Sequence, residues 1–262
     1  MRVRAAGLTD VGCVRKGNED NLLVDVKLGL FVVADGLGGH AAGEVASEIV
    51  VNQMHHFMSQ TVEQDRTWPM NYDMALSFNG NRLRAALLLA DQAIVEDIQQ
   101  HPERESMGST AVACLVDGER ITLAHVGDSR AYLLNDSGIR QITRDHSWVA
   151  EQVASGILTP EEARKHPFRN VITQALGNGG DLNVAIQEME VKKLDRLLLC
   201  SDGLSGMVPD SDIHSTVQKA KNLEEAAESL VKQAKNNGGE DNITVIIIGF
   251  DANEEHLPDI TT

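Results

Sequence analysis

The chain has few basic residues and no long apolar stretch. Its 262 residues include 23 Lys and Arg against 39 Asp and Glu, so the formal net charge is −16. Nucleic-acid phosphates and anionic membrane surfaces both attract basic proteins, and this deficit therefore argues against either partner. No run approaches the ~20 apolar residues of a membrane-spanning helix, and the N-terminal sequence predicts no signal peptide.

Cysteine is also scarce. Cys13, Cys114 and Cys200 form no Cys-x-x-Cys pair, which argues against a thiolate zinc site. Each lies among apolar or β-branched neighbours, so we expect three reduced core residues. A cytoplasmic location fits this cysteine usage best, because the cytoplasm keeps thiols reduced.

Apolar residues make up 42% of the chain, enough for a large core. Short runs rich in Val, Ile and Leu predict strands, and longer runs with apolar residues three and four apart predict helices. The predicted strands are Leu22–Val26, Leu30–Ala34, Ala111–Val116, Ile121–Val126, Ala131–Leu134, Leu197–Cys200 and Ile243–Phe250. The predicted helices are Ala42–Met58, Asn81–Gln100 and Leu223–Asn236. Strands and helices are grouped rather than alternating, which favours an α+β fold with layered sheets.

Turn signals organise the middle of the chain. Asp117-Gly118 and the segment 135–138 each join two strands, which predicts an antiparallel meander. Residues 147–170 are predicted to form a surface flap of short helices and turns, one helix starting at Thr159-Pro160. We predict one domain over residues 1–252, including the flap, and a polar tail over 253–262.

Acidic residues recur where apolar strands begin or end. An Asp-Gly dipeptide is also a common turn, and Asp117-Gly118 needs no other explanation. If the other strand ends meet, however, their carboxylates repel one another by about 4 kcal/mol per pair at 4 Å, for an effective dielectric near 20. Divalent cations would offset that charge, and an all-oxygen site suits Mg²⁺ or Mn²⁺. The acids are Glu19, Asp20, Asp35, Asp128, Asp202 and Asp241.

Eight short motifs occur in a fixed order between Gly7 and Phe250. They are RKGNED, VADGLGGHAAGEVAS, MGSTA, AHVGDSRAYLL, ITRDHS, ITQALG, LLLCSDGLSGMV and GGEDNITVIII. Together they resemble the metal-dependent serine/threonine protein phosphatases of the type 2C class, in their compact bacterial form. The resemblance implies two packed antiparallel sheets with helices on both outer faces, a four-layer α-β-β-α sandwich.

The resemblance also implies the ligands of two or three Mn²⁺ or Mg²⁺ ions. By this likeness Asp35 bridges two ions, and the Gly36 carbonyl belongs to the same cluster. Asp202 and Asp241 bind one of the two, and Asp20, or Glu19, acts on the other through water. Asp128, together with Asp202, resembles the ligand pair of a weaker third ion.

Two further residues resemble catalytic groups of that class. Arg15 resembles the arginine that binds the phosphate, consistent with the ability of a guanidinium to fork onto phosphate oxygens. His40 is the candidate general acid. In many eukaryotic members a histidine directly follows the Asp-Gly, whereas residues 37–39 intervene here, as in the bacterial branch.

The implied function is hydrolysis of phosphoserine and phosphothreonine on proteins by a metal-activated water. The implied partners are phosphorylated proteins, including a serine/threonine kinase and its substrates, and we expect a monomer. The alternatives are a regulatory pseudophosphatase that only binds, and a phosphatase of small phosphorylated metabolites. The presence of all four acids Asp35, Asp128, Asp202 and Asp241 favours an active enzyme over the pseudophosphatase.

Two other motif interpretations fit the sequence less well. Residues 36–41 match the Gly-x-Gly-x-x-Ala dinucleotide fingerprint, but Asp35 would repel a pyrophosphate there. Residues 127–131 come near the serine-hydrolase elbow, but that elbow must lead into a helix, and here a strand is predicted to follow.

Overall fold

The structure is a computed structural model that describes residues 1–39, 41–61 and 71–251. Within those ranges the chain forms two antiparallel sheets and seven α-helices. The strands are β1 (Arg2–Asp10), β2 (Asp20–Asp25), β3 (Leu30–Leu37), β4 (Gly108–Ser109), β5 (Ala111–Asp117), β6 (Arg120–Val126), β7 (Arg130–Asn135), β8 (Gly138–Gln141), β9 (Ala185–Glu190), β10 (Arg196–Cys200) and β11 (Ile243–Asp251). The helices are α1 (Ala41–Gln60), α2 (Phe78–Gln100), α3 (Trp148–Ala154), α4 (Pro160–Lys165), α5 (Asp202–Ser205), α6 (Asp210–Lys219) and α7 (Leu223–Asn236).

The two sheets pack face to face. One has the strand order β1-β11-β10-β7-β8, and the other has the order β2-β3-β5-β6-β9, with β4 paired to β3. A fully buried apolar layer lies between them, to which β3 contributes Phe31 and Val33 and β11 contributes Ile246 and Ile248. Side chains that alternate along these strands point to the opposite, outer face of each sheet.

Helices cover both outer faces. Residues of α1 and α2, such as Val50 and Leu87, pack against β3, β5 and β6 in one apolar cluster. Residues of α7, such as Leu230, pack with α5 and α6 against β7, β10 and β11 in another. These layers confirm the predicted four-layer α-β-β-α sandwich. None of the helices in the described ranges has the length and apolar character needed to cross a membrane.

The elements with strong local signals lie where they were predicted. The α7 helix has the predicted bounds, and Asn222 caps it by accepting a hydrogen bond from the Glu225 amide at 2.7 Å. Thr159 and Glu162 form a reciprocal capping box at the start of α4, in the predicted flap. The tail predicted over residues 253–262 lies outside the described residues.

The predicted meander is wrong in one respect, because its two hairpins belong to different sheets. The β5–β6 hairpin lies in one sheet, and the β7–β8 hairpin lies in the other. The chain crosses between the sheets at Gly127, which has a φ of +97°. A Cβ atom there would lie 2.6 Å from the Thr110 Cβ, so the crossing requires glycine.

The prediction that all three cysteines are core residues is wrong for Cys13. Cys114 and Cys200 are buried in strands, whereas Cys13 is exposed in the loop after β1. Its Sγ lies 3.7 Å from the Lys235 carbonyl oxygen. Apolar neighbours in sequence did not indicate burial here, because Val11 and Val14 are themselves exposed.

A buried arginine joins the two helices on one face. Arg82 of α2 donates from Nη2 to the Met58 carbonyl of α1 at 2.7 Å, and from Nε to Thr61 Oγ1 at 3.3 Å. It also donates to Asn79 Oδ1 at 3.2 Å. The guanidinium thereby satisfies carbonyl and hydroxyl groups where α1 ends.

We predict that Arg82→Met lowers the free energy of unfolding by about 1–3 kcal/mol, because it removes three hydrogen bonds made by a buried guanidinium. Arg84→Met, on the same helix, is the matched control, since Arg84 donates to Asn71 O from a more exposed position. The control should change the stability by about 0.5 kcal/mol or less. Urea unfolding of both variants checks this, and equal midpoints would contradict it.

Candidate functional site

The antiparallel registers bring the acidic strand ends to one edge of the sandwich. Asp20 at the start of β2 pairs directly with Asp35 near the end of β3. In the other sheet, β10 ends just before Asp202, and its antiparallel partner β11 begins just after Asp241. Asp128 lies in the crossing between β6 and β7. Residues far apart in sequence are therefore neighbours in space.

A cavity of about 230 Å³ opens at this edge. Of the predicted site residues it is lined by Arg15, Asp35, Gly36, Asp128, Asp202 and Asp241. Glu19, Asn170, Ile172 and Asn242 also line it. Asp20 does not, and His40 lies outside the described residues.

Glycines allow the cavity walls to approach one another. A Cβ atom at Gly36 would collide with the Gly43 carbonyl oxygen and lie 2.6 Å from the Glu19 carbonyl oxygen. A Cβ atom at Gly203 would collide with the Asn242 carbonyl oxygen. Glycine at both positions lets the segments carrying Asp35 and Asp202 pack directly against neighbouring backbone.

Asn242 organises the loop that carries Arg15. Its Oδ1 accepts a hydrogen bond from the Glu19 amide at 2.8 Å, and its Nδ2 donates to the carbonyls of Val11 and Gly17, both at 3.0 Å. Asn242 was not among the predicted site residues, although it stands between Asp241 and a buried strand. The available signal was a polar residue between a predicted ligand and a core strand.

Arg15 makes an ion pair with one of the predicted ligands. Its Nη2 donates to Asp241 Oδ2 at 2.6 Å. The Arg15 side chain is 49% exposed, so it stands at the open side of the cavity rather than within the core. Burial lowers the pKa of Arg15, but the carboxylates of Asp241, Glu19 and Asp35 outweigh that effect and raise it.

Asp20 lies behind the cavity, 8% exposed. Ser201 Oγ donates to its Oδ2 at 2.8 Å, and Ser201 Oγ in turn accepts from the Thr244 amide at 3.0 Å. The two acids proposed to act through water are thus placed differently. Glu19 lines the cavity, and Asp20 is held by hydroxyl groups of the sheet beneath it.

The buried acids disturb one another's titration. Burial raises the pKa of Asp20 to about 7, aided by the charges of Asp202 and Asp241. Burial and the neighbouring Asp202 raise the pKa of Asp128 to about 7. Burial and Asp241 raise the pKa of Asp202 to about 6. Burial and the surrounding acids, Asp20 first, raise the pKa of Asp35 well above its ordinary value.

The donor set fits divalent cations. Carboxylate and carbonyl oxygens are the ligands that Mg²⁺ and Mn²⁺ favour. Asp202 Oδ1 is buried and has no hydrogen-bond partner in the described part of the chain, which is a costly arrangement unless something binds it. Within those residues no three acidic, His or Cys side chains form a ready-made metal site, and Asp241 is hydrogen-bonded to Arg15. The oxygen donors and the unpartnered Asp202 Oδ1 nevertheless give the cavity the chemistry of a cation site.

We predict that, with chelator present, the protein becomes less stable as the pH rises from about 6.5 to 8. Unfolded aspartates are already ionised in this window, whereas the folded protein still holds protons on acids whose pKa is raised. Because the folded state binds more protons than the unfolded state, its stability falls with increasing pH. Melting temperatures across the window, with and without saturating Mn²⁺, check this. A midpoint that stays level or rises in chelator would contradict it.

Curated relatives match nearly the whole chain. The serine/threonine protein phosphatase PstP of Mycobacterium tuberculosis is 39% identical over 245 residues, which cover 94% of this chain and 44% of PstP. The chain thus spans less than half the length of that relative. The serine/threonine phosphatase stp of Listeria monocytogenes is 35% identical over 255 residues, covering 94% of this chain and 96% of that protein.

Solved structures and a family model agree with these relatives. The catalytic domain of the phosphatase PstP, in complex with two manganese ions, superposes with a TM-score of 0.81 at 37% identity, covering 95% of this chain and 99% of that one. The family model described as protein phosphatase 2C matches residues 15–240, from the arginine at the cavity mouth to the residue before Asp241. Sequence, fold and relatives together place this chain in the protein phosphatase 2C family.

Proposed function

We propose that the protein hydrolyses phosphoserine and phosphothreonine on proteins with the help of Mn²⁺ or Mg²⁺. The observation that carries the proposal is the cavity itself, where four aspartates meet at one edge with Arg15 at its mouth. The two manganese ions bound to the catalytic domain of PstP support the metal dependence. The serine/threonine phosphatases among the relatives support the substrate class.

Asp35, Asp202, Asp241 and the Gly36 carbonyl would hold two cations, and Asp128 with Asp202 would hold a weaker third. Bound there, divalent cations supply Lewis acidity, which acidifies water and withdraws charge from a phosphoryl group. The protein fixes the main chain of Asp35 in place. The Asp35 carbonyl accepts a hydrogen bond from the Thr110 amide at 2.8 Å and another from Ser109 Oγ at 3.0 Å.

Arg15 would bind and orient the phosphate. It uses Nη2 for the bond to Asp241, and a guanidinium has four further N–H groups to offer. Two parallel N–H donors match two phosphate oxygens, which favours one orientation of the substrate. His40 as general acid, a kinase among the partners, a monomeric state and a cytoplasmic location stay predictions.

The alternatives differ in what the purified protein will hydrolyse. A protein phosphatase should release phosphate from a phosphothreonine peptide, lose activity in chelator and regain it with Mn²⁺ or Mg²⁺. A metabolite phosphatase should prefer small phosphate esters over the peptide. Folded protein that binds Mn²⁺ but hydrolyses neither substrate would establish the pseudophosphatase. Parallel assays with a chromogenic aryl phosphate, the peptide and a panel of sugar phosphates separate these outcomes.

We predict that Asp35→Asn abolishes hydrolysis and weakens Mn²⁺ binding, because it removes a cavity carboxylate that would help to hold the cations. The matched control is Asp117→Asn, which changes an Asp-Gly dipeptide that does not line the cavity, in the β5–β6 hairpin. The control should keep both properties. Phosphate release and calorimetric Mn²⁺ titration measure them, and near-normal turnover in Asp35→Asn would refute the assignment of the site.

We predict that Arg15→Ala raises KM for the phosphopeptide about 10- to 100-fold, with a smaller change in kcat. A hydrogen bond to a charged group contributes about 1.5–3 kcal/mol, which corresponds to that range. Lys16→Ala removes the adjacent exposed positive charge and is the control. Steady-state kinetics at fixed Mn²⁺ check this, and equal KM values for the two variants would contradict a specific role for Arg15.

A further inference from the structure

Residues 144–146, which precede the flap, each contact the segment that carries Asp128. The Arg144 carbonyl accepts a hydrogen bond from His125 Nε2 at 2.8 Å. The Asp145 carboxylate accepts from Nε and Nη2 of Arg130, the latter at 2.7 Å. The ring of His146 stacks on that of His125, with centroids 4.7 Å apart.

His146 makes two hydrogen bonds to a single residue. Its backbone amide donates to the Gly127 carbonyl at 2.9 Å, and its ring Nδ1 accepts from the Gly127 amide at 3.2 Å. Gly127 is buried, has a φ of +97° and directly precedes Asp128. On the other side of Asp128, Ser129 Oγ and Thr110 Oγ1 lie 2.7 Å apart, within hydrogen-bond distance. Asp128 is thus held by its neighbours on both sides.

The chain that returns from the flap also reaches His146. The Thr173 amide donates to the His146 carbonyl at 2.8 Å, and Ser147 forms an isolated bridge with Ile172. Ile172 lines the cavity together with Asp128. His146 is therefore the residue at which the Asp128 crossing and both ends of the flap are joined.

We propose that His146 is a positioning residue, whose acceptor nitrogen Nδ1 holds the Gly127 amide and so aims the Asp128 carboxylate into the cavity. The inference rests on the proposed function, in which Asp128 and Asp202 hold the weaker third cation. Residues that hydrogen-bond to a metal ligand set its orientation, and their loss weakens cation binding by about 10- to 100-fold. His146 acts through Gly127, the residue before the ligand, so we expect the lower end of that range.

The ring is suited to accept a hydrogen bond at neutral pH. Burial and the neighbouring His125 lower the pKa of His146 to about 4, so its ring is neutral. The other nitrogen, Nε2, then carries the proton. A neutral acceptor facing a buried amide is a stable pair, whereas an apolar side chain there would leave the amide without a partner.

A matched pair of variants isolates the acceptor. His146→Asn places a carbonyl oxygen near the position of Nδ1, and His146→Leu has nearly the same shape without an acceptor. Both lose the stacking on His125 equally. His146→Gln is a second polar variant, which places its acceptor one bond further out and keeps the test available if the leucine variant does not fold.

The experiment titrates Mn²⁺ into each purified protein by calorimetry and by the electron paramagnetic resonance signal of free Mn²⁺. Asp128→Asn identifies the weaker ion by its loss. We expect His146→Leu and His146→Gln to bind that ion about tenfold or more weakly, with the tighter ions unchanged. His146→Asn should stay within about twofold of the wild type. Thermal melts confirm that every variant is folded at the titration temperature.

Other results would overturn the inference. Wild-type affinity for the weaker ion in the leucine and glutamine variants would show that His146 does not position Asp128. Equal weakening in the asparagine and leucine variants would assign the effect to ring stacking. If Asp128→Asn binds as many Mn²⁺ ions as the wild type, Asp128 does not hold the weaker ion and the inference fails. In each case metal-dependent hydrolysis by the wild type would leave the proposed function standing, whereas its absence would reject that function separately.

Discussion

The mutual repulsion of carboxylates at one end of the sandwich is the constraint on which the rest of the structure depends. Each close pair costs about 4 kcal/mol at 4 Å and an effective dielectric near 20. The net stability of a domain is only about 5–15 kcal/mol. Such a cluster can persist because three buried apolar layers stabilise the strands whose ends carry the acids. Charge at the edge is then offset by protons, by arginines, and by the cations that the donor set fits.

Two arginines share this compensation in different ways. Arg130 is fixed by the Asp145 carboxylate and the Tyr132 hydroxyl. Burial and neighbouring acids raise the pKa of Asp128 and Asp202, and the charge of Arg130 opposes part of that rise. Its positive charge is therefore held in a fixed position near the acids. Arg15 bonds to Asp241 from a half-exposed position at the cavity, where we propose that it meets the phosphate. The two arginines thus differ in place: Arg130 moderates the repulsion among the buried acids, and Arg15 stands at the open side of the cavity.

Patterns along the sequence predicted the elements that bury most of their surface. The runs in β3, β5, β10 and β11 are apolar on both faces, and such strands stand out without knowledge of their partners. β1 and β9 were not predicted, because their residues are largely half-buried or exposed and carry charges. The crossing at Gly127 was not predicted either, since nothing local distinguishes a turn within one sheet from a passage to the other. The acids were identified by their positions at strand ends, but their convergence depends on register, which only the folded chain supplies.

The Asp-Gly dipeptides show that the same pair of residues can be required for different physical reasons. Gly118 has a φ of +64°, and a Cβ atom added there would meet no other atom within 4 Å, so glycine serves there only to turn a hairpin. Gly36 and Gly203 do not have a positive φ, yet a Cβ atom at either would collide with a neighbouring backbone carbonyl. Their glycines are required by close packing rather than by backbone conformation. In this protein, an Asp-Gly dipeptide belongs to the acidic edge when its glycine allows close backbone packing. It belongs to a simple turn when its glycine supplies a positive φ.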